Sequence, residues 1–389
     1  MCSVVLLALF LATSLTAADD VAMLALNGDD AAIARLRKEG QSGVDRLVAL
    51  HEAGAVDEQA WRAALDRVCR QRDCAWSHLY WYTDLKSAMA AARKQHRPIL
   101  SLRLLGDLGE DLSCANSRFF RTILYSNRDI YEYLRANFIL HWSSERPVPK
   151  VTIDFGDGRV MHRTLTGNSI HYLLDENGVP LDALPGLYSP VAFLGALREM
   201  RTLAAAKLPP GQMYAYHVGR ATSAQSNKRA ARLVTSSTAW DASALTSSKA
   251  IVERPMLERV SFGTTPVRVT ETVPADPANL GAIDASSLSL IRELRAASPV
   301  ASMSNDDDFA RTVARLEQSI AADTLRNEYE LRPKIHQWFA AHGAETFEAL
   351  NAFVYSTVFM TPAEDRWLGL LPEETFTALR AEGLTIPPK

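Results

Sequence analysis

The chain has 389 residues, 47% of them apolar, and a formal net charge of -3. That length predicts two or three domains with ordinary cores. The near-neutral balance and the lack of any Lys/Arg block argue against nucleic acid as a partner.

The first twenty residues read "MCSVVLLALFLATSLTAADD", with an unbroken apolar run from Val4 to Ala12, then small residues, then two acids. The run is too short to span a bilayer comfortably. It fits the core of a secretory signal over residues 1–18, cut near Ala17 or Ala18. The segment before it carries no Lys or Arg, so a membrane-proximal anchor or a buried helix is the competing reading. Cys2 does not close the apolar run, which leaves a lipoprotein anchor unsupported. No later segment approaches the length of a transmembrane helix, so no stable membrane span is expected once the signal is removed. Removal leaves Cys69, Cys74 and Cys114. An odd number in an oxidising compartment predicts one disulfide and one free thiol. "CRQRDC" supplies the natural pair, Cys69 and Cys74, provided their Cα atoms lie within about 7 Å. A zinc site is a poor alternative, because no second Cys or His pair sits nearby at ligand spacing.

Residues 19–75 predict a helical segment. "DDAAIARLRKEG" opens on acids, places Ile33 and Leu36 one turn apart and stops at a glycine; "SGVDRLVALHEAG" and "DEQAWRAALDRVCRQ" repeat the grammar. "TDLKSAMAAARKQH" predicts an amphipathic helix capped by Thr83 or Asp84. "RPILSLRLL" predicts a strand, followed by the loop "GDLGEDLS" and a helix that begins near Cys114. "SNRDIYEYLRANF" predicts another helix, with Ser126 and Asp129 at capping-box spacing. "FILHWSSE" reads as a strand and "VTIDFGDGRVMHR" as a hairpin. "SIHYLLDENGVPLDALPG" places two strands around an Asn177-Gly178 turn. "SPVAFLGALREMRTLAAA" closes the block as a helix, which gives a compact α/β unit over residues 79–205. Residues 206–285 are rich in Ser, Thr and Ala and predict a linker and extended region. "MLERVSFGTTPVRVTETVPAD" within it can supply a strand pair. Residues 286–389 predict a helical C-terminal region. The expected fold is α/β, a central domain flanked by mainly helical segments.

Several of these motifs, taken in order, resemble the thioredoxin-like domains of exported bacterial proteins over residues 79–205. "WYTDLKSAMAAARKQHRPILSL" resembles the helix and strand that precede that family's active-site loop. "YSNRDI", "ANFIL" and "YLLDENGVPLDALPG" resemble its later segments. The resemblance implies a thioredoxin-like fold, location in the bacterial envelope (periplasmic or secreted), and Cys114 as nucleophile. Two positions depart from the pattern. Ser117 stands where the family has a resolving cysteine, and Ser169 or Ile170 stands where it has a cis-proline.

A thiolate is the attacking species in disulfide exchange, and a helix N-terminus stabilises one. Ser113 is placed to cap that helix, Arg118 and Arg121 add positive potential, and the Ser117 hydroxyl is placed to donate to the thiolate. His171 can tune the thiol or be an ordinary core histidine. A Cys-x-x-Ser site of this kind suits a monothiol oxidoreductase or isomerase that exchanges with protein thiol and disulfide clients, or retains them, without a cofactor. Cys69 or Cys74 is a further candidate for a resolving thiol. The alternative is a non-catalytic thioredoxin-fold binding or scaffold module. Free cysteine is among the most buried residue types, and Phe119, Phe120, Ile123 and Leu124 give the Cys114 helix a packed face. A third reading places an active site among the C-terminal helices, where no motif stands out. "CANSR" lacks the other zinc ligands of a carbonic anhydrase. "GNSIH" is not a nucleophile elbow. "DFGDGR" lacks calcium-loop spacing.

Overall fold

The computed structural model describes residues 18–226, 280–296 and 306–361, apart from residues 55, 166, 344 and 345. The expected signal core, the strand pair expected within residues 256–276 and residues 362–389 of the expected C-terminal helical region lie outside the described residues.

Four helices open the chain: α1 (Ala18–Leu26), α2 (Asp30–Glu39), α3 (Gln41–Glu52) and α4 (Glu58–Cys69). Asp29 and Asp57 cap α2 and α4, accepting from the backbone N–H groups of Ala32 at 2.7 Å and Ala60 at 2.8 Å. Their apolar stripes (Ile33, Leu36, Val44, Leu47, Trp61, Leu65) close into a core of their own. Gly43 permits the close approach of α3 to α2, since a Cβ there would lie 2.1 Å from the Leu36 carbonyl oxygen.

The central unit follows. α5 (Leu85–Gln95) starts at Asp84, whose carboxylate accepts from Ser87 N. Then come β1 (Ile99–Leu105), α6 (Ala115–Phe119) continuing into a π-helical turn (Phe120–Leu124), α7 (Arg128–Asn137), β2 (Ile139–Arg146), the hairpin β3 (Lys150–Asp154) and β4 (Val160–Thr164), β5 (Ser169–Leu174), β6 (Pro180–Pro185) and α8 (Pro190–Ala206). The main sheet runs β2-β1-β5-β6; β1 pairs with β2 in parallel and with β5 antiparallel, and β5 pairs antiparallel with β6. Ile99, Leu100, Leu102 and Leu104 of β1 are all buried, as expected of a central strand covered on both faces. β3 and β4 form a separate two-stranded ribbon. The α7 cap differs from the sequence expectation. Asn127 accepts from Ile130 N, while the Ser126 hydroxyl donates back to Thr122 O at 2.8 Å. A serine that donates to the preceding turn has left its capping role to its neighbour.

The expected linker does not begin after α8. A 17-residue helix, α9 (Pro210–Ser226), starts four residues later and packs against α12. Its sequence carries little amphipathic contrast, and burial against another helix stabilises it more than its own pattern does. The C-terminal region forms α10 (Ala285–Ala296), α11 (Asp306–Arg326) with a π-helical turn (Asn327–Leu331), α12 (Arg332–His342), and α13 (Phe347–Phe353) with a second turn (Val354–Val358). These helices do not form a separate unit. Ile320, Ile335, Phe339, Leu350 and Val354 share one continuous core with the sheet. The result is a mixed α/β architecture, a central sheet flanked by helices. No described helix is long and apolar enough to cross a membrane.

Candidate functional site

Cys114 sits where β1 hands over to α6, and its backbone N–H donates to Leu105 O at 3.2 Å. It occupies the N-cap position itself, with φ -58° and ψ 154°. Ser113 therefore lies outside the helix, and its buried hydroxyl has no hydrogen-bond partner among the described residues. The cap expected of Ser113 is not made.

The thiol is wholly buried, at 0% exposure. Its Sγ lies 3.0 Å from the Ser169 hydroxyl on β5 and 3.5 Å from Ser117 Oγ. Ser117 donates its own proton to Cys114 O at 2.8 Å, so it does not donate to sulfur. His171, on β5, is enclosed by Phe120 and Phe193 and has the Tyr125 hydroxyl 2.7 Å from its Nε2. Burial pushes the His171 pKa down to about 3, so the ring is neutral and brings no positive charge to the thiol. Arg121 is committed elsewhere: it donates to the carbonyls of Leu108 and Glu110 and lies 3.8 Å from Asp73. Arg118 donates to Thr164 at 2.9 Å. Exchange needs an accessible thiolate. Cys114 keeps its place at the helix N-terminus, but it is enclosed, Ser117 donates elsewhere and the His171 ring is neutral.

The C-terminal helices share the core that contains Cys114 and are tied to the sheet by hydrogen bonds. Tyr172 on β5 donates to Asn351 of α13 at 3.1 Å, and Asn351 donates in turn to Glu145 on β2 at 2.8 Å. Asn168 donates to Thr361 Oγ1 at 3.1 Å, and Arg146 to Thr361 O at 3.2 Å.

Cys69 and Cys74 are joined as a disulfide, with Cα atoms 6.3 Å apart, and both are buried. The pair fastens the end of α4 to the short turn Cys74–Trp76. Asp66 accepts from Cys74 N at 2.9 Å, and its own pKa is pushed up to about 6 by burial. The bridged cysteines are five residues apart in sequence, not at the three-residue spacing of a redox pair. Neither is a thiol that could resolve a mixed disulfide on Cys114. No family model, no curated protein and no solved structure matches the chain. The thioredoxin-family membership, the monothiol mechanism and the oxidoreductase or isomerase activity expected from the resemblance are therefore corrected. Among the described residues, the one free cysteine is enclosed, and the other two are bonded to each other.

A second polar cluster was not singled out in the sequence. Asp182 on β6 is fully buried and faces three elements. Arg332, at the start of α12, donates to its Oδ2 at 2.9 Å, and Tyr216 of α9 donates to the same oxygen at 2.9 Å. His336, one turn along α12, has Nε2 3.8 Å from Asp182 Oδ1. Its Nδ1 meets His217 Nδ1 of α9 at 2.9 Å. Glu328 accepts from Arg332 at 3.0 Å and from Arg220 at 3.2 Å.

Burial alone would raise the Asp182 pKa, but Arg332 and then the two histidines outweigh it and hold the carboxyl well below its usual range. Burial lowers His217 to about 4 and His336 to about 3. Both imidazoles are therefore neutral near pH 7, and one Nδ1–H donates to the other ring. The tautomer with His217 as donor leaves the remaining ring proton on His336 Nε2, which has no hydrogen-bond partner among the described residues. Among the described residues, no group of three His, Cys, Asp or Glu side chains is arranged to hold a metal ion.

A sequence signal for this cluster existed. Asp182 is in phase with Pro180 and Leu184 on β6, both buried. An acid on an apolar strand face needs a buried cation, and Arg332 with Glu328 at i-4 supplies one.

Proposed function

We propose that the chain is a non-catalytic binding or scaffold protein whose α/β core presents helices to a protein partner. The burial of Cys114 carries this reading. A thiol at 0% exposure, with its neighbours committed to other groups, holds a core together and cannot exchange with a client. The strand order β2-β1-β5-β6, with only β1 and β2 parallel, supports a thioredoxin-like arrangement kept as a frame. That is a statement about topology and carries no chemistry of that family. Taken with the apolar N-terminal run, the Cys69–Cys74 bridge also supports export to an oxidising compartment. We read residues 19–75 as one helical unit and the central sheet with its C-terminal helices as another, because each has its own core.

The test is a thiol map of the native, unreduced protein by mass spectrometry, followed by partner capture. Cys114 is expected to stay unalkylated until the protein is denatured, and Cys114→Ser is expected to keep the partners of the wild type. Rapid native alkylation of Cys114, or partners held only through a mixed disulfide, would sink the reading.

A further inference from the structure

A pocket of about 200 Å³ lies beside the Asp182 cluster, where α9 meets the turn Asn327–Leu331 and the start of α12. Its lining includes Arg220, Ser223, Glu328, Tyr329, Arg332 and His336. We propose that this pocket binds a small oxyanion, a carboxylate or a phosphate, between Arg220, Arg332 and His336.

Unmet hydrogen-bonding capacity is the first argument. Arg332 and His336 are each 2% exposed. Arg332 Nε and His336 Nε2 have no hydrogen-bond partner among the described residues. Buried donors without partners are rare in folded proteins, because burial removes their water and supplies nothing in its place. Asp182 does not relieve His336, because 3.8 Å is too long for a hydrogen bond. An oxyanion at the pocket floor would accept from both.

Charge is the second argument. Arg332 is held cationic by Asp182 and Glu328, and Arg220 brings a second guanidinium to the same wall. Arg220 is loosely held, with contacts of 3.2 Å to Glu328 and 3.3 Å to Glu199. A well-made guanidinium–carboxylate pair is closer, about 2.7–2.9 Å. Glu328 is about one-third exposed, so it can turn outward while a ligand oxygen takes its place between the two guanidiniums. Ser223 and Tyr329 complete the lining. The volume sets the size. At about 30 Å³ per water, the pocket holds roughly seven waters, which suits inorganic phosphate or a short carboxylate.

The pocket is distinct from Cys114, so its failure would leave the scaffold reading untouched. The experiment uses the full chain, titrated separately with inorganic phosphate and with acetate at constant ionic strength, against a chloride control. The readouts are the thermal midpoint and the imidazole NMR signals of His336, assigned through His336→Gln. At least one anion is expected to shift both signals saturably. Arg220→Gln is expected to weaken that binding at least tenfold while leaving the unliganded midpoint nearly unchanged. Arg220 is partly exposed, so the variant folds; Arg332 is avoided because its loss strands Asp182. Arg128→Gln, on exposed α7, is the control and should bind like the wild type. Which anion saturates separates a phosphate site from a carboxylate site. No saturable response to either anion, or equal binding in Arg220→Gln and Arg128→Gln, would overturn the proposal.

Discussion

Mild acid should unfold this protein, and the cause is its buried histidines. His141, His171, His217 and His336 are all at or below 2% exposure. Burial, the foremost cause at each, lowers their pKa to about 4, 3, 4 and 3 respectively. An unfolded histidine titrates near 6.5. Below that value the unfolded chain takes up protons that the native rings refuse, so stability falls as pH falls. The contribution is complete above about pH 6.5 and is lost through the window down to the native values. At pH 5 each ring costs about 2 kcal/mol, at about 1.4 kcal/mol per unit. Asp66 acts in the opposite sense. Its native pKa of about 6 means that it gains stability as it protonates, by about 1–2 kcal/mol at pH 5. Asp182 keeps its charge through this window, because its pKa lies below the usual range. The net loss is several kcal/mol, comparable with the whole stability of a typical domain, about 5–15 kcal/mol. Urea unfolding, followed by tryptophan fluorescence at pH 7.5, 6 and 5, measures it. His217→Phe should flatten the slope, since one of the two coupled rings is removed. A free energy of unfolding at pH 5 within about 1 kcal/mol of that at pH 7.5 would refute the reasoning.

Four further outcomes follow from particular contacts. Asp182→Asn should destabilise by about 3 kcal/mol in urea, because buried Arg332 loses its buried counter-charge and keeps only the part-exposed Glu328. The double variant Asp182→Leu, Arg332→Met should cost less than the single one, and the reverse order would show that the pair itself is strongly stabilising. Gly186→Ala should lower the thermal midpoint by several degrees, since φ is +75° and a Cβ would lie 2.6 Å from Asn327 Nδ2. Reducing the Cys69–Cys74 bridge should cost about 2 kcal/mol from loop entropy, measured as a midpoint shift with and without reductant.

The local grammar of the chain was legible. Asp29, Asp57 and Asp84 cap their helices as such residues do before an apolar stripe, and the Gly-Asp-Gly and Asn177-Gly178 turns separate the strands they were expected to separate. These are short-range signals, decided within four or five residues. Ser113 and Ser126 show where that grammar stops. Each is a chemically suitable cap, and in each case the neighbouring residue, Cys114 or Asn127, holds the position because the chain enters the helix one residue later.

The two long-range questions had different fates for one physical reason. At Cys114 the residues in sequence, Ser113 and Ser117, suggested a reactive thiol, yet its sulfur meets Ser169 and lies in a core shared with Leu350 and Val354, far along the chain. Accessibility is a property of that core, and no spacing rule within 112–120 contains it. The Asp182 cluster has the opposite form. Its members come from β6, α9 and α12, far apart in the chain. A lone buried acid nevertheless demands compensation, and the chain meets the demand with Arg332 and Tyr216, with neutral rings completing the cluster. Arg332 Nε and the Nε2 atoms of both imidazoles remain unanswered after that demand is met, and with His217 as the donor two of the three, Arg332 Nε and His336 Nε2, are themselves donors. A cluster built only to dock α9 and α12 on β6 would have no use for those two donors, and apolar side chains would pack there at lower cost. Their retention beside a polar pocket is therefore better explained by a ligand than by the fold.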